Sequence, residues 1–95
     1  MFVIDGSKMT NRQEAYQELK KALEAPDYMG NNLDALYDVL TEMRGEIVLT
    51  HACVMLNSLR KFGLSLLEVF YDAAGDNRYI TFTLGMKHDP EDAKD

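Results

Sequence analysis

Three short apolar runs recur along the chain, and each is rich in residues that favour β-strands. They cover residues 2–4, 47–49 and 79–84. The turn-forming pair Asp5 and Gly6 ends the first run. The middle run is apolar at every position, which predicts a strand covered on both faces. The pattern therefore predicts three strands.

Between the first two strands, the spacing of apolar residues changes to three and four, which is typical of helices. A first helix is predicted over about residues 11–25, with Thr10 and Gln13 at the spacing of a capping box. Pro26 prevents this helix from continuing.

A second helix follows a glycine-containing loop over residues 27–31. Asn31 or Asn32 is its predicted N-cap, since a short amide side chain can accept a hydrogen bond from the first turn. We expect this helix to end near residues 41–43, before Gly45.

Two further helices are predicted between the second and third strands. One begins near residue 52 and is expected to break at Gly63. The next has a capping-box pair at Ser65 and Glu68, and Gly75 is expected to close it.

Strands that alternate with helices indicate a parallel sheet, because parallel neighbours need long crossover connections. The predicted fold is therefore α/β, a small three-stranded parallel sheet packed with about four helices. Residues 1–85 are expected to form a single domain. Residues 86–95 are charged, contain Pro90 and lack periodicity, so we expect a disordered tail there.

Composition narrows the class of protein. No apolar run approaches the roughly 20 residues that span a bilayer, and the first residues do not show the basic-then-apolar pattern expected of a secretory leader. Cys53 is the only cysteine, which excludes an intramolecular disulfide and fits a reducing compartment. We expect a cytoplasmic protein without membrane contact, and a monomer because no large apolar stripe is left uncovered.

Negative charge is concentrated in one segment. Residues 24–46 contain six acids against Arg44 alone, while the whole chain has a net charge of −6. Direct binding of nucleic acid is not expected, since that needs a basic stripe to neutralise phosphates. A basic partner protein is the natural complement, and a solvated acidic surface that aids solubility is the simpler alternative.

Residue types that support catalysis or metal binding are sparse. Neither His51 nor Cys53 has an orienting acid beside it in sequence, and a structural cysteine is the favoured interpretation. Two histidines and one cysteine do not complete a zinc site, and no loop of the EF-hand type surrounds Asp34 and Asp38. Phosphate-binding glycine patterns are absent as well. We expect no metal, no cofactor and no enzyme activity.

A mixed surface over the loop and second helix is the remaining candidate. It combines aromatic, amide, hydroxyl and carboxylate groups, a composition typical of binding hot spots. Its members are Tyr28, Asn32, Asp34, Tyr37, Asp38 and Thr41. Structural roles stay open for two of them, since Tyr37 can be half-buried core and Asn32 can be a helix cap. Asp38 has the weakest structural explanation, because it lies beyond the helix turn where a carboxylate is favoured.

A family resemblance falls on the same segment. Residues 25–41 read APDYMGNNLDALYDVLT. This run resembles the segment by which the barstar family, intracellular inhibitors of the secreted ribonuclease barnase, contacts its enzyme. The likeness extends over roughly residues 2–85. It implies a barstar-like sheet packed with helices and a protein without catalysis of its own.

The resemblance also implies a set of contact residues. Asp38 is the residue expected to enter the cationic active site of the nuclease, in place of substrate phosphate. The other implied contacts are Tyr28, Met29, Gly30, Asn32, Asp34, Tyr37, Thr41, Met43 and Asp72. Several positions depart from the family pattern: Met29 replaces a tyrosine, Tyr37 a tryptophan and Asp72 a glutamate, an aromatic is missing near Met43, and Arg44 adds a positive charge.

The leading hypothesis is an inhibitor of a microbial, barnase-type ribonuclease that covers the active site with an acidic helix and loop. One alternative is a non-inhibitory interaction module, or an immunity protein for a different basic toxin. Another is a small metal-dependent hydrolase that uses Asp34 and Asp38.

Overall fold

A computed structural model describes residues 1–85, so the predicted tail over residues 86–95 lies outside the described residues. Three strands and four α-helices follow one another in the order β1 (Phe2–Asp5), α1 (Arg12–Leu23), α2 (Leu33–Thr41), β2 (Gly45–Thr50), α3 (Ala52–Leu59), α4 (Lys61–Asp76) and β3 (Ile80–Leu84). A short 3-10 helix, Gly6–Lys8, joins β1 to α1 and was not predicted from the sequence.

The three strands form one parallel sheet in the order β1-β2-β3. Phe2 of β1 lies beside Ile47 of β2, which lies beside Phe82 of β3. The predicted α/β fold, with three parallel strands and four helices, is confirmed.

One face of the sheet carries the core. Alternate residues of the strands, such as Ile4, Ile47 and Leu49, are buried there against the helices. On the opposite face Val3 is half exposed and Val48 is only partly buried. The expectation that residues 47–49 would be covered on both faces is therefore wrong, because the helical core residues contact a single face.

Helix α1 begins with a different capping pair from the predicted Thr10 and Gln13. The side-chain oxygen of Asn11 accepts a hydrogen bond from the Glu14 N–H at 2.9 Å, and the Asn11 amide donates to the Glu14 carboxylate at 2.9 Å. The helix ends at Leu23, three residues before the proline.

The boundary between α3 and α4 lies at Arg60, not at the predicted Gly63. Arg60 has a φ of 56° and a ψ of −122°, which ends α3 and lets α4 begin at the next residue. Gly63 is buried inside α4, where an added Cβ would lie 3.1 Å from Leu56 Cδ2. This glycine allows close packing of two helices and does not interrupt one.

Helix α4 is also longer than predicted at both ends. It runs through Ser65 and Glu68, so this pair is not a capping box, and through Gly75 to Asp76. Packing of its apolar stripe on the sheet outweighs the local stop signals, as shown by Phe70, whose ring stacks on Phe82 with centroids 4.7 Å apart.

Candidate partner-binding site

Helix α2 has one buried stripe and one exposed stripe. Asn32 caps its N-terminus and accepts a hydrogen bond from the Ala35 N–H at 2.8 Å. Leu36 and Leu40 are fully buried on the inner stripe. The outer stripe, which we call the α2 acidic face, consists of the exposed residues Asp34, Asp38 and Thr41. The spacing of four and three therefore places these residues on one surface, as predicted.

The carboxylates of the α2 acidic face remain available. Within residues 1–85, the carboxylate of neither Asp34 nor Asp38 accepts a hydrogen bond or forms an ion pair. The Thr41 hydroxyl donates to the backbone carbonyl of Asp38 at 2.8 Å, so this hydroxyl is engaged within its own helix. The face therefore offers a partner two solvent-exposed carboxylates that no described side chain occupies.

The loop before α2 adds an aromatic group to this surface. Tyr28 is 89% exposed, whereas the neighbouring Met29 is only 5% exposed and anchors the loop. The Met29 N–H donates to the Pro26 carbonyl at 3.0 Å. A shallow groove of about 330 Å³ lies between this loop and α2, and Tyr28, Gly30 and Asp38 are among its lining residues.

A second groove, of about 540 Å³, separates α2 from α4. Asp34 and Tyr37 line one wall, and Asp72 and Asp76 line the other, one helical turn apart. The Tyr37 hydroxyl donates to the Asp76 carboxylate across the groove. Tyr37 is half-buried and joins the two helices, which the sequence could not show because the partners are 39 residues apart.

Tyr37 responds to the acidic groups around it. Its hydrogen bond to Asp76 raises the pKa of the phenol, partial burial adds to the shift, and the negative charges of Asp76, Asp72 and Asp38 raise it further. The phenol is therefore held as a neutral donor, and it lies among carboxylates from both helices.

Asn77 holds the C-terminal end of α2 in place, a role that was not predicted from the sequence. This residue is 7% exposed, and its side-chain amide donates to the carbonyls of Leu40 and Met43 at 3.0 and 2.9 Å. Its oxygen accepts from the Tyr79 N–H at 2.9 Å. An asparagine after a helix is a recognised stop signal, but the sequence pattern predicts the end of the helix at the nearby Gly75 instead.

Met43 follows α2 and is partly buried against the core, so its carbonyl, not an exposed side chain, is its best-defined contact. Asp72 is exposed on α4. The structure thus brings Asp34, Tyr37 and Asp72 to one groove and Asp38 to the adjacent one.

Comparison with known proteins decides the family. A family model described as Barstar (barnase inhibitor) matches residues 1–87. The chain belongs to the barstar family. A segment of 39 residues is 49% identical to a protein of Bacillus subtilis (strain 168) named "Putative ribonuclease inhibitor YrdF", and it spans 41% of this chain and 43% of that protein.

Other chemistry has little support in the described part of this barstar-family chain. Among residues 1–85, no three histidine, cysteine, aspartate or glutamate side chains converge on a point where they could hold a metal ion. His51 and Asp5, whose side chains lie 3.3 Å apart, pair at the ends of β2 and β1, and neither lines the two grooves beside α2. No helix in this range is long and apolar enough to cross a membrane.

Proposed function

We propose that the protein inhibits a ribonuclease of the barnase type by covering its cationic active site with the α2 acidic face and the loop before it. Membership of the barstar family and the name of the Bacillus subtilis relative support a ribonuclease-inhibitor role. The observation that carries the mechanism is the exposed, unpaired pair of carboxylates of Asp34 and Asp38 on one rigid stripe.

Charge complementarity explains why such a stripe suits a nuclease. An enzyme that binds RNA concentrates positive charge where the phosphate lies. A carboxylate presented there can accept paired hydrogen bonds from an arginine, which fixes orientation as well as charge. Because the helix is anchored by two fully buried leucines and capped by Asn32, little ordering is required when the carboxylates meet the enzyme.

Asp38 is the central residue of this proposal. It lies on the α2 acidic face and also lines the groove beside Tyr28, so an inserted basic side chain would contact a carboxylate and an aromatic ring. Asp34, with Asp72 on α4, would contact the flanking region of the enzyme. The protein would act by occupation of the site, with no catalytic step of its own.

The test is a ribonuclease assay with a barnase-type enzyme, titrated with this protein. We expect stoichiometric inhibition by the natural chain and a loss of affinity of at least 100-fold in Asp38→Asn, which keeps the side-chain shape and removes the charge. Asp27→Asn is the matched control: Asp27 is exposed in the same loop, but it is not one of the expected contact residues and does not line the groove beside Asp38. Equal effects of the two substitutions would refute the assignment of Asp38.

A further inference from the structure

A cationic cluster lies just beyond the C-terminal end of α2. The Arg44 guanidinium carbon lies 4.8 Å from the centre of the Tyr79 ring, and that of Arg78 lies 5.2 Å from it. Arg78 Nη2 also donates to the Tyr79 hydroxyl at 3.2 Å. Tyr79 is 53% exposed, so the cluster is on the surface. We call these three residues the basic rim.

The position of the basic rim is fixed relative to the α2 acidic face. Asn77 donates to the Met43 carbonyl and accepts from the Tyr79 N–H, which ties the residue before Arg44 to the same segment as Tyr79. The Gly45 N–H donates to the Tyr79 carbonyl at 2.9 Å. Arg44 follows Thr41 by three residues, so their Cα atoms are at most about 11 Å apart.

Both guanidinium groups keep their charge uncompensated within residues 1–85. Neither Arg44 nor Arg78 forms an ion pair with any described carboxylate, although the chain has 16 acids and only 10 lysines and arginines. Stacking on a ring engages the face of a guanidinium and leaves N–H donors at its edge. The rim therefore presents positioned donors to a partner.

We propose that the basic rim binds a carboxylate on the ribonuclease surface beside the active site, and so helps to select which ribonuclease is accepted. This inference rests on the proposed function. A carboxylate suits the N–H edge of a guanidinium group, with which it forms charge-assisted hydrogen bonds. A nucleic acid suits them less, because the exposed Glu42 and Glu46 each lie two residues from Arg44 in sequence and would repel a polyanion. An interface with both signs also fixes register and excludes enzymes that lack an acid at this point.

The experiment compares two double variants with equal net charge, by inhibition titration and by association and dissociation rates with the ribonuclease. Arg44→Gln with Arg78→Gln removes the rim, and Lys20→Gln with Lys21→Gln removes two charges near the C-terminal end of α1. Removal of positive charge should by itself speed association with a cationic enzyme. We expect the rim variant nevertheless to bind about tenfold more weakly, mainly through faster dissociation, and the lysine variant to bind unchanged or more tightly.

Each outcome decides a different point. If the natural chain inhibits and the rim variant binds as tightly as the lysine variant, the rim proposal is overturned and the proposed function stands. If the natural chain neither binds nor inhibits, both are overturned. Binding of a labelled single-stranded oligonucleotide that is lost in the rim variant would reassign the rim to nucleic acid. Melting curves of both variants check that the fold is intact.

Discussion

Asn77 offers the sharpest test of how the binding surface is held in place. Its side chain makes three hydrogen bonds, two to carbonyls at the end of α2 and one from the backbone at the start of the last strand. Replacement by alanine leaves the Leu40 and Met43 carbonyls and the Tyr79 N–H without this partner. The substitution removes no large apolar group, so the lost bonds dominate the effect.

The magnitude follows from the burial of the three groups. The bond to Leu40 is buried, but the Leu40 carbonyl also accepts a hydrogen bond from the Met43 N–H at 3.3 Å, so loss of the amide donor costs about 1–2 kcal/mol. The other two bonds are partly buried, so water can replace the amide and the cost falls to about 0.5–1 kcal/mol each. We therefore expect Asn77→Ala to lower the free energy of unfolding by about 2–4 kcal/mol. The melting temperature should fall by about 8–32 °C, given roughly 4–8 °C per kcal/mol in a domain of this size.

Urea unfolding followed by circular dichroism measures this change. Asn57→Ala is the matched control, because Asn57 is exposed on α3 and should tolerate the change within about 0.5 kcal/mol. A loss below about 1 kcal/mol in Asn77→Ala would show that the three bonds do not hold α2 to the last strand.

Three further predictions concern the backbone and one titrating group. Gly6→Ala should lower the free energy of unfolding by about 3 kcal/mol, because its Cβ would lie 2.6 and 2.7 Å from backbone carbonyl oxygens. Gly75→Ala, whose Cβ would have nothing within 4 Å, should raise it by about 0.5–1 kcal/mol. Chemical denaturation compares the two variants. Arg60→Gly should raise the free energy of unfolding by about 1 kcal/mol in the same assay, since a φ of 56° with a ψ of −122° favours glycine. A loss of stability would show that the backbone at this residue is not strained. The pKa of Tyr37 is raised in the folded protein, chiefly by its hydrogen bond to Asp76. This bond therefore contributes stability that is fully present below the pKa of the unfolded chain, about 10, and that is lost as pH rises through the folded pKa. The stability difference between the natural chain and Tyr37→Phe should therefore shrink in unfolding titrations from pH 9 to 11, and a constant difference would contradict the role of its bond to Asp76.

The sequence alone was sufficient to predict an element where its local pattern agrees with the tertiary structure. The three strands were found because their apolar runs are short and bounded by turns, and α2 because Asn32, its leucines and the end near Thr41 all indicate one helix. The exposure of Asp34 and Asp38 follows from the same helical spacing. These features require no knowledge of distant residues.

The predictions failed for helix boundaries and long-range contacts that tertiary packing determines. Gly63 was predicted to break a helix, but it lies inside α4, where an added Cβ would lie 3.1 Å from Leu56 Cδ2 and would require Leu56 to shift. The break occurs at Arg60, a residue with no intrinsic preference for its positive φ. The Tyr37–Asp76 bond and the role of Asn77 join residues more than thirty positions apart, and local periodicity carries no information on such pairs.

The central claim is that the α2 acidic face takes the place of RNA phosphate in a ribonuclease active site. Competition tests it most directly: binding of the protein to a barnase-type ribonuclease is measured at rising concentrations of a single-stranded oligodeoxynucleotide, which lacks the 2′-hydroxyl needed for cleavage. The account predicts that the apparent Kd of the complex rises linearly with oligonucleotide concentration. An apparent Kd that stays constant while the enzyme is saturated with oligonucleotide would contradict it.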